Sequence, residues 1–162
     1  QGTGGAYNGD LYATLRHAGG FVVLLNRAGK TIGNDWGYGD NGFEVTFDDS
    51  RLLPDIHDYQ VSLGGSPIGP LTGLWSADGR AVDPAFVTEA SQRSTSLDVF
   101  VGAEASGSWT LFVADLSGGG EARLDSWGLD FEVTPVPEPA AGALVLLLGA
   151  GLYGGVVRGR QR

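Results

Sequence analysis

Apolar residues alternate with polar ones in five places along the first 135 residues, and that spacing limits the fold more than any other feature of the chain. Leu11, Ala13 and Leu15 form one set, Phe43, Val45 and Phe47 a second, and Leu97, Val99 and Val101 a third. Trp109, Leu111 and Val113 form a fourth, and Trp127, Leu129, Phe131 and Val133 a fifth. Successive strand side chains point to opposite faces, so each set predicts a strand with one buried face. Phe21 to Asn26, "FVVLLN", is apolar almost throughout and predicts a strand covered on both faces, or nearly so. Turn clusters separate these runs: Ala18-Gly19-Gly20, Gly37 to Gly42, Gly64-Gly65-Ser66-Pro67 and Ser117 to Gly120. Glycine reaches positive φ there without steric cost. Asp83 to Arg93 reads as a loop or a single helical turn. Short strands between turns, with almost no helical stretch, predict an all-β antiparallel sandwich.

The chain has 162 residues, which suits one domain and an appendage. Setting aside Glu138 and the arginines 158, 160 and 162 leaves 18 acids against 7 bases. A body that acidic repels phosphate backbones, which argues against nucleic-acid partners. The absence of cysteine excludes disulfides, thiolate metal sites and a cysteine nucleophile. No methionine is present, so Gln1 is not a translation start, and a signal peptide or further domain ahead of it is an open expectation.

Catalytic chemistry is sparsely represented. Nucleophilic hydrolysis needs a serine beside a histidine base and an acid. The two histidines are His17, beside a predicted strand, and His57, in "PDIHDYQ"; both read as surface residues. No serine sits in a G-x-S-x-G elbow, since Ser66 follows Gly64 but has Ile68 two residues after it. "AGKT", Ala28 to Thr31, lacks the earlier glycine of a phosphate loop, because Leu24 stands there. Asp35, Asp40, Asn41, Asp48 and Asp49 supply oxygen ligands of the kind a structural Ca²⁺ takes, without EF-hand spacing. Solvated acidic loops are the alternative. Trp36, Tyr38 and Trp75 lie in or near turns, where they either stack on a sugar ring or cover the end of the sandwich.

Two longer stretches carry a resemblance. The first is "YNGDLYATLRHAGGFVVLLNRAG", Tyr7 to Gly29, with Gly9, Asp10 and Leu11. The second is Phe100 to Val133, with Ser106, Gly107, Trp109, Leu111, Val113, Asp115, Gly120, Leu124, Trp127 and Leu129. Together they resemble the P domain of proprotein convertases and bacterial subtilisin-like proteases, while residues 30–95 match weakly. The resemblance implies a jelly-roll-type β-sandwich over residues 1–134 and no catalytic role for the module itself. It implies structural roles for the motif residues. Trp109 and Trp127 fall on inward phases and are expected in the core. Asp115, and Asp10 after Asn8-Gly9, are expected to accept hydrogen bonds from turn N–H groups.

Residues 135–162 are of a different kind. Ala140 to Val157 is an uncharged run of 18 residues, about 27 Å as a helix, and shows no polar face. It predicts a transmembrane helix over 140–157. Arg158, Arg160 and Arg162 in the 158–162 end prefer the cytoplasm, which puts the body outside it. Val136, Pro137, Glu138 and Pro139 in the 135–139 spacer complete the order of parts in a PEP-CTERM sorting signal, which this segment resembles. That resemblance implies cleavage by an exosortase in the inner membrane of a Gram-negative bacterium. It also implies release to the outer surface or an exopolysaccharide-rich matrix.

The expectation is an exported, non-catalytic P-type module at the cell surface, with exopolysaccharide or another surface protein as a partner. An accessory domain of a secreted subtilisin-like protease is one alternative. A carbohydrate-binding module using Trp36, Tyr38 or Trp75 is the other.

Overall fold

The computed structural model describes residues 6–132. The chain divides into two compact units, Gln1–Gly128 and Leu129–Arg162. Residues 129–132 of the second unit carry no regular secondary structure. The sorting motif Val136 to Pro139, the Ala140–Val157 run and Arg158, Arg160 and Arg162 lie outside the described residues. Among the described residues no helix is long and apolar enough to cross a membrane.

The first unit is mostly β. Its strands are β1 (Leu11–His17), β2 (Gly20–Asn26), β3 (Phe43–Phe47), β4 (Leu71–Trp75) and β5 (Thr110–Asp115), with one short helix α1 (Tyr59–Leu63). β1 and β2 form a hairpin closed by Ala18 and Gly19, whose φ values are 46° and 85°. Two positive-φ residues match the right-handed twist of the strands they join. A bulge between Ala13 and Thr14 makes Leu24 the extra residue of β2. β5 pairs antiparallel with the other side of β1, from Leu11↔Asp115 to Arg16↔Thr110, giving the order β2-β1-β5.

The central position of β1 and the loops over β2 explain the burial. Val22 and Val23 on opposite faces of β2 are both fully buried, so this strand is covered on two sides as its unbroken apolar run predicts. Burying each stabilises by about 1.5–3 kcal/mol. Leu25, Ala13 and Leu15 continue the core, and Ile56, Tyr59, Leu71, Trp75, Ala77 and Val87 extend it.

Three elements differ from the sequence expectation. The strands β3 and β4 pair in parallel, from Phe43↔Leu71 to Phe47↔Trp75, so the second sheet is not antiparallel. A parallel pair needs a long crossover, and residues 48–70 supply it, with α1 inside. Leu97 to Phe100 is a 3-10 turn rather than a strand. Leu97 and Phe100 are both half-buried, the latter out of phase with the alternating set, and Val99 and Val101 are exposed. Residues 127–132 form no strand, and Trp127 and Phe131 are both about half exposed. Alternation describes any extended segment, whereas a strand also needs a partner ladder.

Candidate functional site

The most concentrated chemistry in the first unit is a buried cluster of charged groups joining four parts of the chain. Asp55 caps a 3-10 turn at Ile56–Asp58 by accepting from the His57 N–H. That turn carries the His57 side chain inward, where it is fully buried. Its Nδ1 faces the Asp78 carboxylate at 2.8 Å and its Nε2 faces the Lys30 carbonyl at 3.0 Å. Asp78, also fully buried, accepts further from the Asn26 N–H, the Arg80 N–H and Arg80 Nη1. Arg80 donates through Nη1 to Asp55 at 2.8 Å, and its Nη2 lies 3.8 Å from Asp58. Arg93 closes the cluster from outside, donating to the Asp78 and Ala77 carbonyls. Asn26 donates through Nδ2 to the carbonyls of Arg80 and Val82.

Electrostatics follow from this packing. Burial pushes the His57 imidazole down, but the hydrogen bond and charge of Asp78, with the Lys30 carbonyl, push it up by more. The result lies above the ordinary histidine value, against opposition from Arg80. Burial also lowers Arg80, and the charges of Asp55, Asp78 and Asp58 reverse that, leaving the guanidinium more firmly protonated than usual. Asp58 is raised, first by burial and then by Asp55 and Asp78.

An Asp–His pair is two members of a hydrolytic triad, so the third, the nucleophile, decides the chemistry. A triad base keeps one ring nitrogen against a nucleophile hydroxyl. In His57 that nitrogen faces a main-chain carbonyl, and the ring is closed to solvent. His17 is likewise tucked in, not on the surface. Its ring stacks on Trp109 at 3.9 Å with 5° between planes, and its nitrogens face the carbonyls of Glu104 and Ser108. Neither histidine has a nucleophile on either nitrogen. Both ties are long-range in sequence, and a lone histidine in a polar heptapeptide gives no local sign of them.

The five candidate Ca²⁺ ligands are not brought together. Asp35 is exposed and 3.6 Å from the Lys30 ammonium. Asp40 accepts from Tyr59 Oη at 2.5 Å and Gln60 Nε2 at 2.6 Å. Asn41 bridges Tyr7 through its backbone. Asp48 is held below the usual carboxylate range by the Ser50 hydroxyl and N–H, with Arg51 adding to this. Asp49 clamps two distant N–H groups, Ala77 and Leu97. No group of three or more His, Asp or Glu side chains fit to hold a metal occurs among the described residues.

The motif residues divide. Asp115 accepts from the Ser117 N–H, as a turn-former should. Asp10 contributes through its backbone, donating to the Tyr7 carbonyl and accepting from Leu116. Gly9 packs so closely on the 36–38 loop that a Cβ would lie 2.7 Å from the Tyr38 N and nearer still to the Trp36 carbonyl. Trp109 is half-buried between His17 and Phe100. Trp127 is 47% exposed and so stands outside the core. Of the three turn aromatics, Trp75 is buried and Tyr38 packs edge-on against Tyr59 at 4.6 Å, which leaves only Trp36 open to solvent.

Two clefts lie on the described surface. One of about 190 Å³ lies beside Arg16, His17, Ser108 and Thr110, and one of about 450 Å³ beside Asp49, Arg51, Arg93 and Asp98. In the first the His17 nitrogens face the carbonyls of Ser108 and Glu104 rather than a hydroxyl, and no histidine lines the second. No curated protein and no solved structure matches the chain. Residues 55–131 match the family model of the proprotein convertase P-domain, a stretch that begins at the cap of the His57 turn, contains Asp78, Arg80 and Arg93, and takes in most of the second resembling stretch but not the first.

Proposed function

We propose that the chain is a non-catalytic module of P-domain type on an exported bacterial protein, delivered through a PEP-CTERM signal to the cell surface or matrix. The P-domain match over 55–131 supports the module. Engagement of both histidines by carbonyl and carboxylate groups supports a structural rather than catalytic use of its polar residues. The observation that carries the address is the succession Val136-Pro137-Glu138-Pro139, an uncharged run from Ala140 to Val157, and Arg158, Arg160 and Arg162. On this reading an exosortase removes the tail, and the acidic body works outside the cell. The partner there is exopolysaccharide or another surface protein. Mass spectrometry of surface-released protein tests it: the body is expected without Arg158 to Arg162, and an intact end on released protein refutes the sorting step.

The same match favours a second reading, an accessory domain of a secreted subtilisin-like protease. The two part on the genomic reading frame. A subtilisin-type catalytic domain in the same frame as Gln1 supports the accessory role, and a signal peptide directly ahead of Gln1 supports the surface protein.

A further inference from the structure

His57 faces an acceptor with each ring nitrogen, Asp78 Oδ2 on one side and the Lys30 carbonyl on the other. A carbonyl and an ionised carboxylate only accept, and a neutral imidazole carries a single N–H. The doubly protonated ring is the form that serves both. The backbone fastens the same joint again, because the Gly29 N–H donates to the His57 carbonyl at 2.7 Å.

Gly29 and Lys30 are the root of a loop that runs to Tyr38. Asn34 ties its two legs by donating to the carbonyls of Gly29 and Gly37. The Tyr38 ring lies over Gly29, and the Tyr38 N–H donates to the Ala28 carbonyl. The outer part is bare: Ile32 is 80% exposed and Trp36 73%. The charged groups around His57 come from every neighbouring segment. Asp55 and Asp58 flank it, Asp78 and Arg80 face it, and Arg93 reaches the Asp78 carbonyl. The Lys30 ammonium pairs outward with Asp35.

We propose that His57 is a proton-dependent clasp that fastens the 29–38 loop to the 76–80 segment when charged and slackens it when neutral. The upward displacement of its titration agrees with this geometry. The sign follows directly. Below the ordinary histidine value near 6.5 the folded and unfolded rings both carry the proton, and the clasp contributes in full. Between that value and the higher folded one, only the folded ring keeps its proton. Stability then falls about tenfold per pH unit in the folding constant. Above the folded value the contribution is gone. The loop bearing Trp36 and Ile32 is thereby held below the His57 titration and loosened above it. The inference stands whether or not the surface-sorting reading does.

NMR on the full chain tests it, since only two histidines are present and His17→Gln assigns the other. Near pH 6 both ring nitrogens of His57 are expected to carry protons. As pH rises through the His57 titration, the amides of residues 29–38 should shift or broaden with it, while those of β3 stay in place. A His57 ring already neutral near pH 6 overturns the proposal. So does a protonated ring whose titration leaves the 29–38 amides unmoved. In a His57→Gln variant that folds, the tenfold-per-unit decline is expected to disappear; an unchanged decline also overturns it.

Discussion

Replacing Asp78 with asparagine is the sharpest probe of the buried cluster. The side chain keeps its shape and loses its charge and one acceptor atom. In the native protein its two oxygens accept from Asn26 N, His57 Nδ1, Arg80 N and Arg80 Nη1. The introduced amide would have to aim its NH₂ at one of those two pairs of donors. Turned toward Arg80, it orphans the Arg80 N–H and one guanidinium bond. Turned toward His57, it can bond only a neutral ring, and the Asn26 N–H is orphaned. A buried donor left unpaired costs about 1–3 kcal/mol. Arg80, 4% exposed, also loses one of the carboxylates that balance it. Breaking a buried ion pair on one side typically costs about 3–5 kcal/mol, and the native hydrogen bonds here put Asp78→Asn in that range. Against a total of about 5–15 kcal/mol for a domain, that is a large fraction. Urea unfolding followed by tryptophan fluorescence reads the effect, with Trp75 as a buried reporter. With an m-value of about 2 kcal/mol/M, the middle of the usual range, the midpoint should fall by roughly 1.5–2.5 M at unchanged slope. The lower-cost orientation also neutralises His57, so the variant should lose its stability dependence between pH 6.5 and the folded His57 value. A midpoint within about 0.3 M of the parent would refute the account of the cluster as a mutually engaged network.

Two further changes test local geometry. Gly9→Ala drives a Cβ into the backbone of Trp36 to Tyr38 and should destabilise by about 1–3 kcal/mol, read as a lowered melting temperature; a neutral result would mean that the loop gives way freely. Ala18→Asn at φ 46° relieves a left-handed alanine and installs the preferred Asn-Gly hairpin turn, so stability should rise by about 0.5–1 kcal/mol, read as a higher melting temperature, and a fall would refute the turn assignment.

What the sequence makes legible is what local spacing encodes. Leu11, Ala13 and Leu15, the Phe21–Asn26 run, and Phe43, Val45 and Phe47 announce β1, β2 and β3, because each pattern sits within a single element. Leu111 and Val113 announce β5 in the same way. Leu97, Val99 and Val101 fail because three alternating residues fit an extended chain as well as a strand, and Phe100 between them has the better place to bury, against Gly20 and Trp109. The helix α1 escapes notice because five residues with only Tyr59 buried form no amphipathic stripe. One end signal was nevertheless present, Gly64 in the left-handed conformation behind it, while Asp58 ahead of it makes no side-chain cap bond. The charged cluster is silent in sequence for another reason. His57 and Asp78 stand 21 residues apart, and nothing local ties an acid to a base at that distance.

The same separation bears on where the module can be cut. The P-domain match begins at residue 55, but the ring of His57 closes on the carbonyl of Lys30, and Asp78 accepts from the amide of Asn26. A fragment trimmed to the match would start with its charged interior open on one side. The autonomous folding unit therefore begins upstream of β2. During synthesis, a contact set of such long range cannot begin to close until residues 78–80 have left the ribosome, and Arg93 completes it later.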